Sequence, residues 1–285
     1  MVPAQLRRHV AAVALVAALS AACASGSGSD PTAPEPVRSA STTVEYAPGL
    51  TEDLYLPEAK GTVPLVVLVP GGSWTTADPS GFAGLAGSLA DAGIAAAPTH
   101  IRAAQDGVVY PTPIEDVLCA VAAAAEEVRR QGLRPGPVAV LGHSSGAHLA
   151  ALAVLAADDF TPDCGAPLVA PDALIGLSGP YDISKVPDLA SALMGTSPDD
   201  DPDTWAQANP VERADLRPDV PVLLLHGEAD QVVPVDFTTQ FADALEVAGH
   251  PVTVEVVPDA DHDTIYQADV AGDRVATWLQ GLGGG

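Results

Sequence analysis

The sequence predicts an α/β fold: a mostly parallel central sheet with helices on both faces and no large lid domain. Three observations predict it. Short runs rich in Val, Leu and Ile alternate with stretches of helical periodicity over residues 41–281, as strands joined by helical crossovers do. Several of those runs are apolar throughout, the mark of strands buried on both faces. Between one such run and a helical stretch stands Gly142-His143-Ser144-Ser145-Gly146, a sharp turn flanked by glycines.

The elements follow in order. Thr42–Tyr46 and Asp53–Leu56 read as strands around the turn Ala47-Pro48-Gly49. Pro64–Val69 is continuously apolar and reads as a central strand. Phe82, Leu85, Ala86 and Leu89 fall on one helical face, and Gly93 ends that helix. Ile94–Pro98 is a weak strand, recognised by its place in the alternation. Thr112-Pro113 opens a helix, since Pro suits the first turn, and the helix runs to about Gly132. Pro137–Leu141 is a strand and Ala147–Leu155 a helix of strong formers. Asp172–Leu177 and Val220–Leu225 are strands, Thr238–Ala248 a helix, Pro251–Val257 the last strand and Gly272–Gln280 the terminal helix. Ser184–Pro218 is the one sizeable insertion, acidic at Asp199-Asp200-Asp201 and too short for a lid domain.

Composition sets further bounds. The 285 residues are 47% hydrophobic but only 4% aromatic, so the core must be built from Ala, Val and Leu. Twelve basic residues face 37 acidic ones, a net charge of -25. Such a surface repels phosphate backbones and anionic membranes, which argues against nucleic-acid binding. No internal repeat, P-loop or dinucleotide fingerprint is present.

Residues 1–22 read as a signal peptide: Arg7 and Arg8, then apolar Val10–Ala18, then small residues ahead of Cys23. The apolar stretch is too short to span a bilayer. Cys23 after Ala21-Ala22 resembles a bacterial lipobox, although Ser20 stands where Leu is usual and Leu19 is one place early. Lipidation of Cys23 is expected, with the protein anchored at the outer face of the cell membrane; plain secretion is the alternative. Residues 23–40, rich in Ser and Gly and then Pro, form a tether, and 41–285 the folded domain. With Cys23 assigned to lipid, Cys119 and Cys164 remain, and export to an oxidising compartment predicts a bridge between them. Two separate buried thiols are the alternative.

Strand, Gly-flanked turn and helix place Ser144 at an exposed apex, beside a helix N-terminus that favours developing negative charge. Serine is a poor nucleophile unless a base takes its proton, and the base needs an acid to fix its tautomer. Asp230 follows the strand ending at Leu225, and His262 follows the strand ending at Val257, giving the chain order Ser, acid, His. The rival residues fit less well. His250 begins a strand at the wrong end, His226 better supports the acid's loop, and His100 comes too early. His143 can pack beside Ser144 but not swing onto it. His148 suits a buried packing or supporting role, one helical turn on. Glu228 could replace Asp230, and Asp259, Asp261 and Asp263 read as a solvated loop. Gly71 and Gly72, after the first buried strand, can offer backbone N–H groups to an oxyanion, with the N–H of Ser145 as the second donor.

Together Pro70-Gly71-Gly72-Ser73-Trp74, the Ser144 turn, Leu177–Asp182, His226–Pro234 and Asp261-His262 resemble the α/β-hydrolase superfamily over roughly residues 41–281. The similarity is greatest to the bacterial esterase/lipase group with feruloyl-esterase-like and hormone-sensitive-lipase-like carboxylesterases. Pro70 stands where that group's oxyanion loop usually begins with His, while the glycine donors are kept. The resemblance implies hydrolysis of small carboxylic esters, with neither metal nor organic cofactor. A serine peptidase or amidase on the same fold, or a catalytically silent surface-binding lipoprotein, are the competing classes. If Ser184–Pro218 lies over Ser144, it offers only Leu189, Leu193, Met194 and Trp205 as apolar wall, which predicts short acyl groups. Oligomeric state is not written in the sequence.

Overall fold

A computed structural model describes residues 41–283. The expected signal peptide, Cys23 and tether lie outside them. One eight-stranded sheet organises the described chain, in the order β1-β2-β4-β3-β5-β6-β7-β8. The strands are β1 (Ser41–Ala47), β2 (Leu50–Tyr55), β3 (Thr62–Val69), β4 (Ala95–Pro98), β5 (Arg134–His143), β6 (Ala173–Leu177), β7 (Val222–Gly227) and β8 (Val252–Val257). β1 and β2 form an antiparallel hairpin, and β2 meets β4 antiparallel. Every other pairing is parallel. Parallel pairing aligns the carboxyl ends of β3, β5, β6, β7 and β8 along one edge, where the loops carrying Gly71, Ser144, Ser178, Asp230 and His262 emerge.

The apolar runs explain the layering. Leu65, Val67 and Val69 of β3 point to one face, and Val66 and Leu68 to the other. β5 divides likewise, with Val138 and Val140 opposite Ala139 and Leu141, and β7 with Val222 and Leu224 opposite Leu223 and Leu225. Helices α1 (Ala83–Asp91) and α7 (Ala268–Leu282) cover one face with Leu85, Leu89, Val275 and Leu279. Helices α2 (Thr112–Arg130), α3 (Ser145–Leu155) and α6 (Asp236–Ala248) cover the other with Val117, Val121, Leu152, Phe241 and Leu245. Fully burying one such aliphatic side chain contributes roughly 1.5–3 kcal/mol. No helix among the described residues is long and apolar enough to cross a membrane.

Several element bounds differ from the sequence-based expectation, β2 beginning at Leu50 and α7 at Ala268, and three departures bear on the site. β5 begins at Arg134 rather than Pro137, because Thr62 and Val63 pair with Arg134 and Pro135 before the register shifts. The helix expected from Phe82 is preceded by a 3-10 turn, Pro79–Phe82, in which the Ser80 N–H donates to the Asp78 side chain. The insertion folds into α4 (Pro187–Met194) and α5 (Pro202–Gln207). Its apolar residues Leu193, Met194 and Trp205 pack into the α2/α3/α6 side of the core, and Leu189 faces solvent. None of these four lines the cleft beside Ser144, so the expected wall is corrected: Leu193, Met194 and Trp205 are buried against helices instead, and Leu189 points to solvent.

Cys119 on α2 is bonded to Cys164 in the loop after α3, with Cα atoms 5.1 Å apart.

Candidate active site

β5 ends at His143 and α3 begins at Ser145, which leaves Ser144 alone at the apex with φ 53° and ψ -128°. The turn closes because its flanks lack side chains. A Cβ on Gly142 would lie 2.2 Å from the carbonyl oxygen of Gly146, and one on Gly146 2.3 Å from that of Val69. Both contacts are inside van der Waals distance, so only glycine fits either place.

Ser144 Oγ lies 3.0 Å from His262 Nε2, and His262 Nδ1 lies 2.8 Å from Asp230 Oδ2. A carboxylate cannot donate, so Nδ1 carries the ring proton and Nε2 is free to accept from the Ser144 hydroxyl. The Asp230 side chain is 1% exposed. Its Oδ1 accepts from the backbone N–H groups of Val232 (2.8 Å) and Val233 (2.9 Å), which turns Oδ2 toward His262. Burial pushes this carboxyl up, but hydrogen bonds from His262, Val233, Val232 and the Ser178 hydroxyl outweigh it and hold it below the ordinary carboxylate range.

The three residues predicted from their order in the sequence therefore meet in space. The rival histidines serve around them. His226 Nε2 donates to the carbonyl of Val233 and its Nδ1 accepts from Thr238 Oγ1, which braces the Asp230 loop. Burial keeps His226 neutral by lowering its pKa. His250 is tied to the carbonyls of Val220 and Ala214 at the far end of β8, away from Ser144. His143 does more than pack: its Nε2 donates to the carbonyl oxygen of His262 at 2.8 Å, and its ring sits 4.7 Å from both His262 and Tyr266. Burial, and then repulsion from His262, lower its pKa to about 3, so it stays neutral while it donates. Asp261 and Thr264 close the His262 loop through hydrogen bonds from Asp263 N, Thr264 N and Thr264 Oγ1 to the Asp261 carboxylate.

Two groups at this site escaped the sequence reading. Ser178, buried at φ 47°, accepts from the Gly227 N–H at 3.4 Å beneath the Asp230 loop, and only its loop position after a buried strand hinted at that. Phe82 and Tyr266, edge to face at 5.6 Å, form the apolar wall of the cleft together with Val232. Phe82 had read as a core residue, and Tyr266 sits four residues past His262.

The cleft above Ser144 has a volume of about 330 Å³. Gly71 and Gly72 form its floor, with Asp78 and Asp263 also on its lining. A Cβ on Gly71 would sit 2.9 Å from the Cβ of Ser144, so the Gly71 backbone rests directly against the Ser144 side chain. Neither the Gly71 nor the Gly72 N–H donates to an acceptor among the described residues. Ser145 is the first residue of α3, so its N–H has no partner one turn back in the helix. Among the described residues no group of three or more His, Cys, Asp or Glu side chains could hold a metal ion.

The BD-FAE family profile matches residues 52–245, more than half of the chain. The chain belongs to the BD-FAE family. Among curated proteins, this BD-FAE member is 29% identical to the esterase LipQ of Mycobacterium tuberculosis over 252 residues, covering 82% of this chain and 59% of LipQ. It is 32% identical to the esterase LipC of the same organism over 216 residues, covering 70% of this chain and 52% of LipC. The chain spans about half the length of the curated relatives it matches. Among solved structures, a truncated carbohydrate esterase from gut microbiota superposes with a TM-score of 0.68 at 23% identity, over 81% of this chain and 90% of that one. An esterase from Thermogutta terrifontis superposes at 0.67 with 20% identity, over 87% and 94%. These likenesses, with the sheet order, give the BD-FAE member the α/β-hydrolase fold.

Proposed function

We propose that this protein is a serine carboxylesterase that cleaves small esters of short acyl groups. One observation carries the reading: Asp230, His262 and Ser144 form a continuous hydrogen-bonded chain that ends at the floor of a cleft. Its relatives LipQ and LipC are esterases, which supports the same chemistry here.

Ser144 Oγ attacks the ester carbonyl as His262 Nε2 takes its proton, and Asp230 stabilises the imidazolium from the Nδ1 side. The carbonyl oxygen becomes an oxyanion, held by the free N–H groups of Gly71 and Gly72 and by that of Ser145. The C–O bond to the alcohol breaks, and His262 returns the proton to the departing alkoxide. Water then attacks the acyl-enzyme and gives its proton to His262; the bond from the acyl carbon to Ser144 Oγ breaks, His262 returns the proton to Oγ, and the acid leaves. His143 takes no proton in this scheme; it holds His262 in place.

Export, with a lipid anchor at Cys23, is part of the proposal. It rests on the leader pattern of residues 1–22 and is supported by the Cys119–Cys164 bridge, since disulfides persist in oxidising compartments. A panel of p-nitrophenyl esters, acyl-sugar esters and peptide anilides tests the chemistry. Hydrolysis of short esters with little action on anilides is expected. Preference for anilides would make the protein an amidase, and inertness toward the whole panel would make it a binding protein.

A further inference from the structure

The oxyanion loop leaves β3 and turns through three successive residues with positive φ: Gly72 at 139°, Ser73 at 54° and Trp74 at 58°. A bulky residue such as Trp holds a left-handed conformation only where its surroundings fix it there. Pro70, Gly71 and Gly72 have no polar side chain with which to anchor the loop, and Ser73 is exposed. Trp74 is the loop's one buried side chain that can donate a hydrogen bond, 5% exposed.

Its indole N–H donates to His148 Nδ1 at 3.2 Å, and the two rings meet edge to face at 5.3 Å. His148 is fully buried, and its Nε2 donates to the carbonyl of Ala208 at 2.8 Å, just past α5. Because Nδ1 accepts, the ring is the neutral Nε2–H tautomer. Burial favours that state by lowering its pKa to about 4. His148 lies one turn after Ser144 on α3, the helix that Ser144 itself caps.

Resting on the esterase reading above, we propose that Trp74 and His148 are positioning residues: a buried strut that runs from the insertion at Ala208 through α3 to the oxyanion loop. The strut refers the Gly71 and Gly72 donors to the same helix that holds the nucleophile. Donor and nucleophile then keep a fixed spacing. Neither residue touches substrate, since neither lines the cleft with Ser144.

An oxyanion donor acts in the transition state and not on bound substrate, so a misplaced donor lowers kcat and leaves KM alone. The test compares wild type with Trp74→Phe, His148→Leu and His148→Gln. The Phe variant keeps a ring without the N–H, and Gln keeps an acceptor and a donor. Each is measured for kcat and KM on p-nitrophenyl acetate, for melting temperature, and for affinity toward a trifluoromethyl ketone that adds to Ser144 as a tetrahedral mimic.

Trp74→Phe and His148→Leu should lose roughly 10- to 100-fold in kcat, below the loss for deleting a donor outright, with KM within about twofold. Ketone affinity should fall in parallel with kcat. His148→Gln should recover most of the loss. If His148→Leu fails to fold, Trp74→Phe decides. A folded Trp74→Phe protein with wild-type kcat and ketone affinity overturns the strut. So does a loss that appears equally in KM and that Gln does not rescue, since that is general packing damage. Wild-type protein that neither hydrolyses esters nor binds the ketone sinks the esterase reading itself, a result distinct from either.

Discussion

His262 Nε2 lies 3.0 Å from Ser144 Oγ, although 118 residues separate the two in the chain. Parallel strands create the meeting, since β5 and β8 both present their carboxyl ends to one edge of the sheet. A nucleophile and base in this relation work as a unit. Ser144→Ala and His262→Ala should therefore each cost on the order of a million-fold in kcat, and the double variant little more. Asp230→Asn should cost about 10⁴-fold, because it reverses the hydrogen bond to His262 and favours the wrong tautomer. Single-turnover assays on folded variants check the order; a His262→Ala protein that keeps most of its rate would break it.

On the proposed esterase reading, cleft size should set the acyl preference. About 330 Å³ lies at the small end of ligand pockets, roughly 300–1,000 Å³, and the insertion adds no apolar wall to it. Along p-nitrophenyl esters from acetate to palmitate, kcat/KM should peak at short chains and show no jump above the micelle threshold. A peak at long chains would mean that the wall of Phe82, Tyr266 and Val232 opens into a larger surface.

The bridge from Cys119 to Cys164 closes a loop of 45 residues across the face that carries α2 and α3. Reduction should release roughly 2–4 kcal/mol of stability through the freedom it returns to the unfolded chain. Melting with and without reductant, and in a Cys119→Ala/Cys164→Ala protein, measures it. Equal melting in all three samples would show that the bridge constrains nothing.

Glu52 on β2 is 1% exposed, and neither of its carboxylate oxygens has a partner among the described residues. Burial, and then the nearby charge of Glu127, raise its pKa well above 4.5. The folded state therefore holds a proton that the unfolded state gives up. That stabilising difference is fully present below the unfolded pKa and is lost as pH rises through the folded one. Glu52→Gln removes the titration, so its melting temperature should gain on wild type as pH rises above the ordinary carboxylate range. Parallel curves there would mean the carboxyl is not the group that matters.

The strands were legible because burial on both faces leaves continuous apolar runs, as in Pro64–Val69 and Val220–Leu225. Ser144, Asp230 and His262 were legible because each follows such a run at its carboxyl end. Arg134-Pro135-Gly136 reads as loop by composition and becomes strand only because Thr62 and Val63 offer it a partner. The cleft wall was hidden for a related reason. An apolar residue in a short element is compatible with either core or cleft, and only packing decides. Leu193 and Trp205 went to the core, while Phe82, buried as expected, also shows a face to the cleft. His143 looked like packing because a hydrogen bond to a carbonyl 119 residues away leaves no local mark.

The backbone of Ser144, at φ 53° and ψ -128°, lies where glycine is at ease and other residues are strained by roughly 1–3 kcal/mol. Ser144→Ala keeps the Cβ and hence the strain. Ser144→Gly relieves it, and should melt above both wild type and the Ala variant while hydrolysing nothing. Thermal endurance and turnover thus pull in opposite directions at a single codon. A selection that rewarded heat resistance alone would drift toward glycine here and leave a well-folded protein with no reaction to perform.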